Sequence, residues 1–163
     1  MIDREIIGRF IDASVNDQQE AKRLLDENPA LRSAKWLGDE HLLNFLVIEN
    51  FPDGVRFCLE NGFDPEQSDG EFGDTPLINA SACGYGEVAK ILLKHGANPN
   101  VVSQTMDTPI DCCFRGGHAD LLDLLFTHGA ELSGAIEFDL STVRDWPEDR
   151  SAIAVVLRKH NVI

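Results

Sequence analysis

Long apolar runs and export signals are missing from this 163-residue chain. No apolar run approaches the roughly 20 residues that a membrane-spanning helix needs. Residues 1–15 mix acidic and basic side chains with apolar ones, whereas a secretory signal has a basic start and an apolar middle. We therefore expect no membrane association and a cytoplasmic location.

Paired cysteines are also missing. The chain has four cysteines, none of them in a CxxC pair: Cys58, Cys83, Cys112 and Cys113. Structural zinc sites usually draw their ligands from closely spaced pairs of that kind. Cys112 and Cys113 are neighbours on one predicted helix, so their side chains diverge by about 100° and cannot easily share an ion. We expect reduced thiols, as in cytosolic proteins, and no metal or cofactor.

Basic residues are scarce, because 14 lysines and arginines stand against 28 acidic residues, for a net charge of −14. The imbalance is strongest in the middle of the chain, where residues 35–69 hold eight acids and two bases. Direct binding to nucleic acid is disfavoured, since phosphate recognition needs clustered Lys and Arg. Two interpretations of the charge remain open: a well-solvated surface, or attraction of a basic partner.

Motifs for catalysis are absent as well. The sequence has no HExxH, and its glycine pairs at residues 84–86 and 116–117 fall between predicted helices rather than after a strand, which argues against a phosphate-binding loop. No nucleophile has a base that the spacing places beside it. Three of the five histidines recur at repeat positions, which favours a structural role: His95, His118 and His128. We predict that the protein is not an enzyme.

The clearest pattern that the sequence does contain covers residues 73–100. Thr75 is a good N-cap, because its hydroxyl can accept a hydrogen bond from an unpaired amide of the first helical turn. Pro76 suits the first helical position, where its missing N–H costs nothing. Gly96 can adopt the left-handed conformation that ends a helix. The segment is typical of two short helices joined by a tight turn.

This pattern recurs after 33 residues. Thr108-Pro109-Ile110 repeats Thr75-Pro76-Leu77, and His128-Gly129-Ala130 repeats His95-Gly96-Ala97. Towards the N-terminus the interval lengthens to 34 residues. A 33-residue period with a Thr-Pro-Leu start and a Gly-Ala close resembles the ankyrin repeat.

The resemblance implies an all-α solenoid of about four helix-turn-helix pairs plus a C-terminal capping helix, in a single domain over residues 1–163. We divide the domain into an N-terminal cap repeat, three repeats and a C-terminal cap: residues 1–34, 35–69, 70–103, 104–136 and 137–163. The predicted helix pairs are 2–13 with 17–27, 41–49 with 53–61, 75–83 with 87–95, and 108–115 with 119–128. In the C-terminal cap we expect a short irregular helix over 139–146 and a last helix that begins at residue 147.

In the ankyrin family, finger-like loops and the exposed side of each first helix line a concave face that binds other proteins. Carried over by register, these positions predict a protein-binding face of fourteen residues: Trp36, Leu37, Glu40, Ile48, Glu49, Glu71, Phe72, Asp74, Ala82, Cys83, Gln104, Thr105, Asp107 and Arg115. Aromatic anchors dominate many interfaces, so Trp36 and Phe72 are expected to carry most of the affinity. In the alternative, both rings fold back onto the next repeat. Met106 stands where Gly73 stands one repeat earlier, so the form of that turn is open.

We therefore predict non-catalytic binding of another protein, with a basic surface, by a chain that is a monomer when free. The chain is short and acidic and carries no attached effector domain, and so resembles small stand-alone bacterial ankyrin proteins of the immunity type, which neutralise a toxin. One alternative is an adaptor or regulatory subunit of a cytosolic enzyme or transcription factor. Another is an enzyme accessory with an unrecognised site.

Overall fold

The computed structural model describes residues 2–70, 72–132 and 148–162. Over these residues the chain is helical, with isolated β-bridges in its loops and a 3₁₀ turn at Pro29–Ser33. The helices are α1 (Arg4–Asn16), α2 (Gln18–Glu27), α3 (Leu42–Ile48), α4 (Pro52–Glu60), α5 (Pro76–Cys83), α6 (Gly86–Lys94), α7 (Pro109–Gly116), α8 (Ala119–Thr127) and α9 (Glu148–Lys159). The predicted helices are confirmed with small shifts at their ends, except for 139–146, which lies outside the described residues.

The helices stack in two parallel rows. α3 packs against α5 and α5 against α7, while α4 packs against α6 and α6 against α8. α9 packs against α8. Each pair thus contacts its neighbours in the sequence of repeats, which is the architecture of a solenoid. None of the described helices is long and apolar enough to cross a bilayer.

Equivalent apolar positions of the repeats form one continuous core. Leu43, Leu77 and Ile110 lie on the first helices of successive pairs and are almost completely buried. The second helices contribute a matching buried series: Val55, Val88 and Leu121. Full burial of such a side chain stabilises the fold by roughly 1.5–3 kcal/mol. The 33-residue period of the sequence is therefore the period of the core.

The N-terminal helix closes this core at one end. Ile7 and Phe10 are buried, and the Phe10 ring lies 5.8 Å from that of Phe63 and 6.2 Å from that of Phe57. α1 comes close to α4 at Gly54, where an added Cβ would lie 3.2 Å from Ser14 Oγ. A side chain at this position would require its neighbours to shift by a few tenths of an ångström.

The first helices of the two best-matching repeats are capped differently, which corrects one prediction. Thr108 Oγ1 accepts a hydrogen bond from the Asp111 amide at 3.2 Å, and the Asp111 carboxylate accepts one from the Thr108 amide at 2.9 Å. Thr75 holds the same position before α5, but its hydroxyl is buried and has no hydrogen-bond partner among the described residues. Thr75 is the N-cap residue of α5 as predicted, but the predicted hydrogen bond to its hydroxyl is not formed. Ile78, at the position of Asp111, also has no side-chain acceptor for the reciprocal bond of a capping box.

The recurring histidines hold turns in place. The Nδ1 atoms of His95 and His128 lie 2.9 Å from the carbonyl oxygens of Ile91 and Leu124, four residues earlier in each case. The ring of His118 lies over Gly84, where an added Cβ would meet it at 2.6 Å. Within the described residues, all three histidine side chains thus contact the backbone of a turn or helix end, which fits a structural role.

Candidate functional site

Three hairpin-like loops precede the first helices of the last three pairs. We call them finger 1 (residues 35–41), finger 2 (69–74) and finger 3 (103–107). Finger 1 is closed by a hydrogen bond from the Trp36 amide to the Glu40 carbonyl at 2.8 Å. The Asp69 amide donates to the Asp74 carbonyl at 3.0 Å in finger 2, and the Ser103 amide donates to the Asp107 carbonyl at 2.9 Å in finger 3.

Polar contacts join the fingers into one row. The Asp69 carboxylate of finger 2 accepts a hydrogen bond from the His41 amide of finger 1 at 3.0 Å and also pairs with the His41 ring. The Gln104 amide of finger 3 donates to the Phe72 carbonyl of finger 2 at 2.9 Å. Each finger is thus held by its neighbour, and we call the whole surface the finger row.

An acidic depression of about 220 Å³ lies between fingers 1 and 2. It brings together three of the predicted site residues, Glu40, Ile48 and Asp74. Its other side chains come from the same two fingers and from α5: Asp39, Asp69 and Asn79. Asp39 and Asp69 were not among the predicted site residues, although Asp69 and Asp74 flank the two glycines of finger 2, a spacing typical of a tight hairpin.

Two carboxylates of this depression, those of Glu40 and Asp74, lie near other negative charges, whereas Asp39 is paired with Lys35. Burial raises the pKa of Glu40, and the negative charges of Asp69 and Glu49 raise it further. Burial also raises the pKa of Asp74, with a smaller contribution from Asp107. No described side chain forms a hydrogen bond or ion pair with the carboxylates of Glu40, Glu49 or Asp74. A cation brought to this place would relieve the repulsion.

Finger 3 carries its own counter-charge. Arg115, at the end of α7, donates a hydrogen bond to the Asp107 carboxylate at 2.6 Å, and Thr105 donates another at 3.1 Å. The hydrogen bond from Arg115 lowers the pKa of Asp107. The structure therefore pairs two of the predicted site residues with each other and leaves this part of the surface close to neutral.

Large apolar side chains project from the finger row into solvent. Phe72 is 59% exposed and Met106 is 63% exposed, while Leu37 and Ile48 are 50% and 40% exposed. Met106 has a positive φ of 66°, close to the 65° of Gly73, so finger 3 forms the same kind of turn with a side chain present. Met106 was not among the predicted binding residues, because its position was considered only for the form of the turn.

Trp36 is held differently from Phe72. Its ring is half-buried, 6.3 Å from the ring of Phe45 in a T-shaped arrangement, and the guanidinium of Arg4 lies 5.5 Å from its centre. An added Cβ on Gly8 of α1 would lie 3.4 Å from it. The indole thus packs on α1 as well as on α3, and its role as an anchor stays a prediction.

The remaining predicted site residues are spread along the exposed surface. Side chains accessible to solvent are those of Glu49, Ala82, Cys83, Gln104, Thr105 and Arg115. Glu71 lies outside the described residues. Of the predicted residues, the structure brings Glu40, Ile48 and Asp74 together in the depression, and Thr105, Asp107 and Arg115 together at finger 3.

The surroundings of the three buried cysteines do not favour a reactive thiolate. Burial raises the pKa of Cys112 to about 11 and that of Cys113 to about 12, and it raises the pKa of Cys58 further still. These thiols are protonated at neutral pH and are poor nucleophiles. Among the described residues, no group of three or more His, Cys, Asp or Glu side chains is arranged to hold a metal ion.

A stack of repeated helix pairs that presents a row of fingers defines a repeat-built binding scaffold. The family model described as ankyrin repeats, in three copies, matches residues 31–134. The chain belongs to the ankyrin-repeat family, as the repeated motifs predict. Ankyrin repeats mediate binding to other proteins and are generally non-catalytic, which confirms the coarse prediction of a binding module.

Three similar proteins illustrate the range of the family. Cyclin-dependent kinase 4 inhibitor B of Bos taurus is 35% identical over 113 residues, which cover 66% of this chain and 84% of the inhibitor. Ankyrin repeat and SOCS box protein 16 of Mus musculus is 47% identical over 61 residues, 37% of this chain and 13% of that protein. Glycerophosphocholine phosphodiesterase GDE1 of Candida albicans is 32% identical over 83 residues, 51% of this chain and 7% of the enzyme. The chain thus spans only a small part of the last two proteins.

Proposed function

We propose that this protein binds a protein partner with a basic surface through its finger row and acts by covering that surface. The observation that supports this most directly is the acidic depression between fingers 1 and 2, in which the carboxylates of Glu40 and Asp74 have no counter-charge among the described residues. The net charge of −14 gives the whole molecule a field of the same sign. A basic partner is attracted by that field and relieves the repulsion between the carboxylates when it docks.

Charged and apolar side chains have different tasks in this proposal. Exposed carboxylates contribute at most about 1 kcal/mol each to affinity, because water and salt screen them. Their main effect is to accelerate encounter and to select the sign of the partner. Apolar side chains that become buried contribute most of the binding energy and slow dissociation. Phe72 has the exposure that this role needs.

Two kinds of partner fit this proposal. One is a basic toxin, with the protein as a bacterial immunity protein that neutralises it. The other is an enzyme whose activity the protein regulates, and the similarity over most of an inhibitor of cyclin-dependent kinase 4 favours this second candidate. Genes that neighbour the coding gene distinguish them, since an adjacent toxin gene supports neutralisation.

The test begins with affinity capture of the partner and its identification by mass spectrometry. Surface plasmon resonance at two ionic strengths then compares the protein with two variants. Neutralising the acidic face in the triple variant Glu40→Gln, Glu49→Gln and Asp74→Asn should lower the association rate and flatten its salt dependence. Phe72→Ala should raise the dissociation rate. Trp36→Ala should do the same, but its melting temperature must be checked because its ring packs on α1.

A matched control separates local from overall charge. The control removes three acidic charges outside the finger row, by Glu60→Gln, Asp120→Asn and Glu131→Gln. These exposed residues change the net charge by the same amount. Equal effects of the two triple variants, or indifference of the affinity to Phe72→Ala, would place the partner elsewhere on the protein.

A further inference from the structure

We propose that the finger row is divided into an acidic half and an apolar half, and that this division fixes the orientation of the bound segment. The acidic half, between fingers 1 and 2, takes basic side chains of a partner protein. The apolar half, on fingers 2 and 3, takes apolar side chains of the same segment. This inference rests on the proposed function and adds the chemistry and direction of what is bound.

The acidic half is shaped for long basic side chains. Glu40 and Asp74 line one depression and have no counter-charge among the described residues. Ile48 lines the same depression and is 40% exposed. The methylene groups of a lysine or arginine can pack on such an apolar surface while the charged end reaches the carboxylates. The chemistry of this half therefore favours lysine and arginine over a small cation.

In the acidic half Lys35 pairs with Asp39 and His41 with Asp69, which leaves Glu40 and Asp74 without a described partner, whereas the acid of finger 3 is paired. Asp107 accepts hydrogen bonds from Arg115 at 2.6 Å and from Thr105 at 3.1 Å. A further cation from a partner would have to compete with Arg115 for the same carboxylate. Basic side chains thus gain little at finger 3, and the attraction falls off along the finger row from finger 1 towards finger 3.

Met106 adopts a left-handed backbone conformation that is energetically costly for a residue with a side chain. A non-glycine residue with a φ of 66° is strained, whereas Gly73 accommodates the same turn in finger 2 without strain. The Met106 side chain is 63% exposed, so packing within the protein offsets little of this cost. Strained residues concentrate at functional sites, and a flexible thioether suits an apolar contact with a partner.

Fingers 2 and 3 hold the apolar half together. The Gln104 amide donates to the Phe72 carbonyl at 2.9 Å, and the side chain of Gln104 lies 2.9 Å from where a Cβ on Gly73 would be. Phe72 and Met106 therefore project from two fingers with a fixed backbone relation. Groups that are already ordered lose less entropy on binding, which favours them as an apolar contact surface.

The spacing of the repeats sets the length of the bound segment. Neighbouring helices pack about 10 Å apart, so the depression between fingers 1 and 2 lies roughly 15 Å from finger 3. An extended chain covers this distance in about four or five residues. The segment that fits has a lysine or arginine separated by about that many residues from a leucine, methionine or phenylalanine.

The experiment uses synthetic peptides as probes of the full-length protein. A two-block peptide carries lysines at one end and leucines at the other, and two control peptides carry only one of the blocks with serines in place of the other. Because both halves are engaged at once, we expect the two-block peptide to bind about tenfold more tightly than the lysine-only peptide. A nitroxide label at one end of the peptide or the other then broadens the NMR signals of nearby amides in ¹⁵N-labelled protein, which shows the orientation of the bound peptide.

We expect a nitroxide at the lysine end to broaden the amide signals of Glu40 and Ile48, and one at the leucine end to broaden those of Thr105 and Met106. The variant with Phe72→Ser and Met106→Ser should remove the tenfold advantage and leave lysine-only binding unchanged. If both labels broaden the same signals, or the two-block peptide has no advantage, the division is wrong while binding at the finger row stands. If signals of α4, α6 or α8 broaden, or no lysine-containing peptide binds, the proposed function is wrong as well.

Discussion

Replacement of Met106 by glycine should stabilise the protein. A left-handed conformation costs a residue with a side chain roughly 1–2 kcal/mol, and glycine avoids this cost. Glycine also makes the unfolded chain more flexible, which offsets about 0.4–1 kcal/mol of the gain. The exposed thioether gives up few contacts, since 63% of its surface already faces solvent. The free energy of unfolding should therefore rise by about 0.8 kcal/mol.

Urea denaturation followed by circular dichroism measures this change, and a rise of about 2 °C in Tm should accompany it. Met106→Ala is the matched control, because it removes the same side chain but keeps the Cβ that causes the strain. Gly73→Ala is the reverse change in finger 2 and should destabilise the protein, since its φ is 65° and Gln104 occupies the space. A Met106→Gly protein no more stable than Met106→Ala would refute the argument from strain.

Three further experiments test the packing and the charges. Thr108→Val should lower the free energy of unfolding by about 1 kcal/mol, because it removes a helix cap, whereas Thr75→Val, whose hydroxyl has no partner, should be nearly neutral; similar losses in both would contradict the assigned caps. Gly96→Val should cost roughly 2 kcal/mol, since its φ is 91°, and thermal melts that match the wild type would speak against this conformation. A hydrogen bond from Lys159 lowers the pKa of Asp123 below its usual 3.8, with a second from His160. Asp123→Asn should therefore cost up to about 1 kcal/mol near neutral pH, a difference that is fully present above about pH 4 and disappears as the pH falls through the lowered pKa; a difference that does not shrink in acid would point to another cause.

The repeated helices were predictable because their signals are local. Pro76 and Pro109 begin the two helices where their missing amides cost nothing, and Gly96 ends the next helix with a positive φ. The buried series Leu43, Leu77 and Ile110 repeats at the spacing of the motif. Each of these features is set by a few neighbouring residues, so reading the chain in order was enough to find it.

The site was only partly predictable, because its properties depend on which distant side chains meet. Asp107 and Arg115 were both expected in the binding face, but only the fold shows that they neutralise each other. Asp69 was not predicted, because its importance comes from a contact with His41 that joins two fingers across 28 residues of sequence. The register of the repeats places Trp36 on the binding surface, but in the fold α1 covers part of its ring.

The amino-acid sequence by itself determined the family, the repeat period and the sign of the surface charge, since caps, turns and composition are encoded over short stretches. Only the tertiary structure decided which of the described carboxylates stay without a counter-charge, which aromatic ring remains exposed, and that Met106 adopts the same turn conformation as Gly73. The physical reason is that Coulomb interactions and burial depend on distances between repeats. Residues one period apart in sequence become neighbours only when the helix pairs stack.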